Sequence, residues 1–172
     1  MSKSNLVLIG MPGSGKSTLG RRIADRLGYH FIETDSLIEQ EAKLKLQDVV
    51  NLRGLQYFRA LEERVLCNLK CENSVISTGG SAVYSSAAMQ ALGAIGTRIY
   101  LYISLASMLQ RVDNQNNRGL AKLPRLSLQE LYQERRRLYP QAADLILDNN
   151  RGVTELNLDR MIAKIQDFER NN

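Results

Sequence analysis

Leu6-Val7-Leu8-Ile9-Gly10-Met11-Pro12-Gly13-Ser14-Gly15-Lys16-Ser17 is the stretch on which the reading of this chain turns. Its first four residues form a short apolar run, the pattern of a strand buried on both faces. The rest, from Gly10 to Ser17, fits G-x-x-x-x-G-K-[ST] at every fixed position. Glycines let backbone N–H groups turn inward and form a nest for an anion. Lys16 adds a point charge for the β- and γ-phosphates, Ser17 offers a hydroxyl to Mg²⁺, and a helix starting near Lys16 brings its positive end. A flexible Gly/Ser turn is the plain alternative, but such a turn has no reason to stand in register between an apolar run and a helical pattern. The stretch reads as a nucleoside triphosphate site, with Gly13, Ser14, Gly15, Lys16, Ser17 and Thr18 around the phosphates.

Beyond it, Leu19, Ile23, Ala24 and Leu27 recur at helical spacing, and Gly28 stands where a C-terminal glycine ends a helix. Tyr29–Glu33 reads as a second strand, Leu37–Leu44 and Leu46–Leu52 as helices, and Tyr57–Leu69 as a longer one. Ser74–Thr78 is a third strand running into Gly79-Gly80-Ser81, and a helix through Met89–Leu92 stops at Gly93. Thr97–Ile103 is a fourth strand, and Ser104 caps a helix running to Val112. Asp113–Arg125, aperiodic and rich in Asn and Gln, reads as a mobile loop. Leu128–Tyr139 is a helix, Leu145–Leu147 a fifth strand and Val153–Phe168 a last amphipathic helix. Strands alternating with helices give an α/β fold with a parallel sheet covered on both faces.

At 172 residues the chain suits one domain, residues 1–172, and is short for two. No apolar stretch is long enough to span a bilayer, and no signal-type apolar region follows Met1–Asn5; a cytoplasmic protein is expected, away from membranes. Cys67 and Cys71 stand alone, so reduced thiols are expected in place of a metal cluster. The net charge of +5 is concentrated: Arg98 to Arg137 holds eight Lys/Arg against three Asp/Glu, which is the whole excess. A basic excess in one segment suits a phosphate-rich small ligand. Without aromatic residues interleaved for base stacking, it does not read as a nucleic-acid surface. No strong dimer patch stands out, so a monomer is expected.

Ligands of parallel sheets collect at the carboxyl ends of the strands. That rule gathers the phosphate loop, Glu33-Thr34-Asp35, Thr78–Ser81 and the start of the loop after Leu109. Alternation along an extended chain points Glu33 and Asp35 to one side, where one holds Mg²⁺ through water and the other orients an acceptor hydroxyl. The alternative is that Asp35 or Thr34 caps the following helix. On spacing alone, Arg135, Arg136 and Arg137 are equally a solvated helix face, and Arg59 a surface partner of Glu62 or Glu63. His30 reads as structural.

Taken together, the phosphate loop, Glu33-Thr34-Asp35, Phe58-Arg59-Ala60-Leu61-Glu62, Gly79-Gly80-Ser81, Arg118, and Arg135 with Leu138-Tyr139 resemble the shikimate kinase family over nearly the whole chain. The resemblance implies a three-layer P-loop fold with five parallel strands and a mobile lid over about 112–125, the acceptor being bound by about 33–62. It implies transfer of the ATP γ-phosphoryl group, with Mg²⁺, to a small carboxylate-bearing alcohol, shikimate first. Lys16, Asp35 and Arg118 are then catalytic, Asp35 also meeting the acceptor hydroxyls and Arg118 swinging in with the lid. Arg59 and Arg135 clamp the acceptor carboxylate, Gly80 donates a backbone N–H to it, and Glu62 holds Arg59. Arg111 and Arg151 flank the adenine, while Ser17 and Glu33 serve the metal and Ser77 stands behind them. Glu33 for Asp, Ser81 for the third glycine, Leu55, Gly119 and Arg137 depart from the family pattern, and bear on the acceptor more than on the reaction. The rivals are a kinase of another hydroxy acid or hydroxy amino acid, and a nucleotide-binding regulatory module without acceptor transfer.

Overall fold

The computed structural model describes residues 4–114 and 127–171. The predicted lid and its Arg118 therefore lie largely or wholly outside the described residues.

Strand β1 (Asn5–Ile9) is buried along its whole length, as its unbroken apolar run requires. Its register is parallel on both sides: Leu6 faces Val75 of β3 (Ser74–Ser77) and Thr97 of β4 (Gly96–Tyr102). β2 (His30–Glu33) and β5 (Leu145–Asp148) complete a five-stranded parallel sheet in the order β2-β3-β1-β4-β5. Side-chain alternation splits β1 between two cores. Leu6 and Leu8 pack with Leu19 and Ile23 of α1 (Lys16–Leu27) and Leu158 and Met161 of α9 (Glu155–Arg170). Val7 and Ile9 face the other way, toward Leu66 of α4 (Leu55–Cys67), Met89 and Leu92 of α5 (Ser86–Ile95), and Tyr139 of α8 (Leu138–Ala142). A third, smaller core joins α2 (Thr34–Ala42), α3 (Leu46–Arg53) and α4 through Ile38, Val49, Val50, Phe58 and Leu61. It carries the predicted acceptor segment beside the carboxyl end of β2. The remaining helices are α6 (Leu105–Asn114) and α7 (Leu128–Arg135).

The predicted elements are present, with three differences. Helix α5 does not stop at Gly93 but runs through it to Ile95. The glycine serves a close approach there: a Cβ at Gly93 would lie 2.9 Å from the Arg98 guanidinium, which is ion-paired with Asp144. The helix predicted over 128–139 is two helices broken at Arg136 and Arg137. Finally, α2 begins at Thr34 directly after β2, so Asp35 sits in a helical first turn and not on extended chain.

Asn5 ties together the end of the sheet opposite the carboxyl ends. Its side chain, 1% exposed, donates to the Cys71 and Ile95 carbonyls (2.8 and 2.9 Å) and accepts from the Ser74 N–H (3.0 Å). Asn5→Ala would strand two carbonyls and one N–H in the interior. The expected loss is about 2–3 kcal/mol in urea unfolding; a loss below about 0.5 kcal/mol would show that these groups find other partners.

Candidate active site

The turn between β1 and α1 is held from three directions. Gly15, the N-cap of α1, has φ +90°, a left-handed conformation that a side chain would strain; a Cβ there would also lie 2.8 Å from Asn149 Nδ2. Asn149, fully buried just past β5, donates to the Ser14 carbonyl (2.7 Å). From α6, Arg111 donates to the carbonyls of Gly13 (3.2 Å), Asn149 (2.7 Å) and Asn150 (2.9 Å). Inside the turn, Lys16 Nζ donates to the Gly10 and Met11 carbonyls (2.8 and 2.9 Å). Burial pulls the Lys16 ammonium down to about 8, against the opposing pull of Asp35 and Glu33. Thr18, two residues into α1, is exposed.

Ser17 Oγ donates to Glu33 Oε1 and lies 3.4 Å from Ser77 Oγ at the end of β3. Two hydroxyls and one carboxylate are hard oxygen donors of the kind Mg²⁺ takes when phosphates and water complete its shell. Glu33 is the N-cap of α2 but makes no side-chain cap bond, and Thr34 Oγ1 is buried without a partner among the described residues. Neither Thr34 nor Asp35 is therefore the cap. The strand-to-helix junction, not strand alternation, aims Asp35 back at Lys16, and burial raises its pKa.

The turn after β3 forms the opposite wall. A Cβ on Gly79 would meet Glu62 Oε1 at 2.8 Å and Asp35 Oδ1 at 2.9 Å. One on Gly80 would meet Arg135 Nη1 at 2.8 Å, with Pro12 Cδ at 3.5 Å. Only glycines allow the two carboxylates and the guanidinium this close to the turn. Tyr139 Oη fixes the turn by donating to the Gly80 carbonyl (2.8 Å). Arg135 is buried, 6% exposed, whereas Arg136 and Arg137 are exposed. The three arginines thus separate into one that enters the site and two on a solvated face.

Glu62 does not hold Arg59. Its carboxylate accepts from Ser81 Oγ at 2.9 and 2.7 Å, and no hydrogen bond or ion pair joins it to Arg59 among the described residues. Arg59 affects Glu62 only by its charge, and its buried Nε has no hydrogen-bond partner among the described residues. Its guanidinium lies 4.5 Å from the centre of the Tyr84 ring. Arg151 is exposed and lines a groove of about 220 Å³ between β5 and α9 with Asp148, Asn150, Arg160 and Lys164. His30 is an exposed residue at the start of β2. Sequence reading assigned no role to Asn149, Tyr139 or Tyr84. Only their place, just beyond strands or beside the glycine turn, could have drawn attention to them.

The chain is similar in sequence and fold to known proteins. The family model described as shikimate kinase matches residues 12–166. The shikimate kinase of Histophilus somni is 36% identical over 97% of this chain and 98% of its own length. That of Persephonella marina is 37% identical over 80% of this chain and 85% of its own length. Among solved structures, shikimate kinase from Acinetobacter baumannii in complex with shikimate superposes with a TM-score of 0.81 at 28% identity, covering 98% of this chain and 94% of that one. Deoxyadenosine kinase from M. mycoides shares the fold at a TM-score of 0.59 and 16% identity, covering 94% of this chain and 99% of its own.

Burial pushes Glu62 up to about 7 from its ordinary 4.5. Between those values the folded chain holds a proton that the unfolded chain gives up, so stability falls as pH rises through the window. Glu62→Gln, which still accepts from Ser81, should be more stable than the unaltered protein above about pH 7, by on the order of 2 kcal/mol. The difference should fade toward the acid end of the window. Urea unfolding at both ends checks this, and a difference independent of pH would contradict it.

Proposed function

The chain belongs to the shikimate kinase family, and from that premise we propose that it transfers the γ-phosphoryl group of ATP to the 3-hydroxyl of shikimate. The observation that carries the reading is the juxtaposition at one end of the sheet. A half-buried Lys16 in a phosphate loop stands with Asp35, and Arg135 is packed against the adjoining Gly79-Gly80 turn. In this reading a phosphate receptor and a carboxylate receptor stand side by side. The relatives named as shikimate kinases, and the Acinetobacter enzyme solved with shikimate, support the same acceptor.

In this reading the amides of Gly13–Thr18 and the Lys16 ammonium cradle the β- and γ-phosphates. Mg²⁺ would be held by Ser17 and, through water, Glu33, and would supply positive charge to the phosphate oxygens. Arg59 and Arg135 receive the acceptor carboxylate as forked donors, with the Gly80 amide beside them. This fixes the ring so that its hydroxyl points along the line of the breaking bond. The hydroxyl oxygen forms a bond to the γ-phosphorus while the bond to the β–γ bridging oxygen breaks, leaving ADP. Asp35 takes the hydroxyl proton, a role favoured by the burial that raises its pKa. Arg118 would arrive with the lid over 112–125 to meet charge on the transferring group and exclude water. Arg111 and Arg151 flank the adenine. We read residues 1–172 as one domain, acting as a cytoplasmic monomer without nucleic-acid or membrane partners; among the described residues no helix is long and apolar enough to cross a bilayer.

ADP formation with Mg²⁺ should depend on shikimate. Arg59→Ala should raise the shikimate KM on the order of thirtyfold, as expected for loss of a charged hydrogen bond, and leave the ATP KM within about twofold. Equal loss of ATP affinity, or an unchanged shikimate KM, would overturn the clamp. Turnover indifferent to shikimate would overturn the acceptor.

A further inference from the structure

Two guanidiniums that chelate one carboxylate must be held close despite their mutual repulsion. In this chain no described carboxylate is hydrogen-bonded to or ion-paired with Arg59; Glu62 accepts from Ser81 and reaches Arg59 through charge alone. Arg135 likewise makes no ion pair among the described residues; its Nε donates to a hydroxyl, that of Tyr84 (3.2 Å). The same ring lies under both charges, 4.5 Å from the Arg59 guanidinium carbon and 5.1 Å from that of Arg135. Tyr84 closes the 3₁₀ turn Ala82–Tyr84 that follows Gly79-Gly80, so its place is tied to the turn that walls the cleft. We propose that Tyr84 is the positioning residue of the acceptor clamp, its ring and hydroxyl orienting Arg59 and Arg135 toward the carboxylate of the acceptor.

The ring's negative face attracts both cations without neutralising either, whereas a carboxylate in its place would compete with the acceptor for the same donors. The hydroxyl accepts from Arg135 and faces Glu134 on the adjoining turn of α7. Among the described residues none accepts a hydrogen bond from Arg59, which leaves its donors to a ligand. Ser81 and Tyr84 thus divide the work: one hydrogen-bonds Glu62, and the other lies in direct contact with Arg59. The inference rests on the acceptor reading above, since it assigns how this chain presents the clamp.

The test compares the full-length protein with Tyr84→Phe and Tyr84→Leu, using shikimate, its methyl ester and ATP as varied substrates. Tyr84→Leu should raise the shikimate KM about tenfold, while the ATP KM stays within about twofold. The preference for the free acid over the ester should shrink by a similar factor, because only the acid uses the clamp. Tyr84→Phe, keeping the ring, should recover most of that loss. A Tyr84→Leu protein that loses ATP and shikimate affinity together, or keeps its preference for the acid, would overturn the positioning role. Absence of shikimate turnover in the unaltered protein would instead overturn the acceptor reading, and this inference with it.

Discussion

The enclosure of the half-buried Lys16 ammonium by the β1–α1 turn is the constraint on which the rest of the structure depends. A cation partly removed from water needs partners, and the Gly10 and Met11 carbonyls supply them at 2.8 and 2.9 Å. Those carbonyls face inward only because the turn is wound tightly, and the winding is secured from outside by Asn149 and Arg111. Asp35 and Glu33 offset part of the desolvation by their charge. The result is an ammonium whose charge is held at a discount by burial, and a polyphosphate entering the turn would favour its charged form. β1 supplies the rigid base, buried at every residue and flanked by strands on both sides.

The second wall answers a different demand. Carboxylate recognition calls for guanidiniums not already committed to protein carboxylates, yet buried cations without support are costly. The turn after β3 meets both needs. Gly79 and Gly80 let Asp35, Glu62 and Arg135 crowd against the backbone, Ser81 donates to Glu62, and Tyr84 lies beneath the arginines. In the proposed reaction, transfer between two anions becomes feasible because positive charge would lie on both sides of the reacting groups and the acceptor hydroxyl would meet the half-buried Asp35 carboxylate.

What could be read from the sequence was what is local. The apolar run, the phosphate loop and the helix behind it are contiguous, and the five strands carry their own β-branched and apolar signature. The placing of Glu33 and Asp35 together was legible, although the reason differed: the helix begins one residue after the strand. The support of the site was not legible. Asn149 meets Ser14 across 135 positions, and nothing in its own neighbourhood announces the contact. Arg135, Arg136 and Arg137 are chemically identical, and the break after α7 decides which one is buried. Gly93 carried the ordinary signal of a helix end, but packing against Arg98 explains it. Ser81 could be seen as a departure, while its partner depended on which way the turn folded.

The most direct measurement is the identity of the phosphorylated product when the protein consumes ATP with Mg²⁺ and shikimate, followed by phosphorus NMR. One phosphate monoester on the 3-hydroxyl of shikimate for each ADP formed is the predicted result. ADP accompanied by an equal amount of inorganic phosphate, with shikimate unchanged, would contradict transfer to this acceptor.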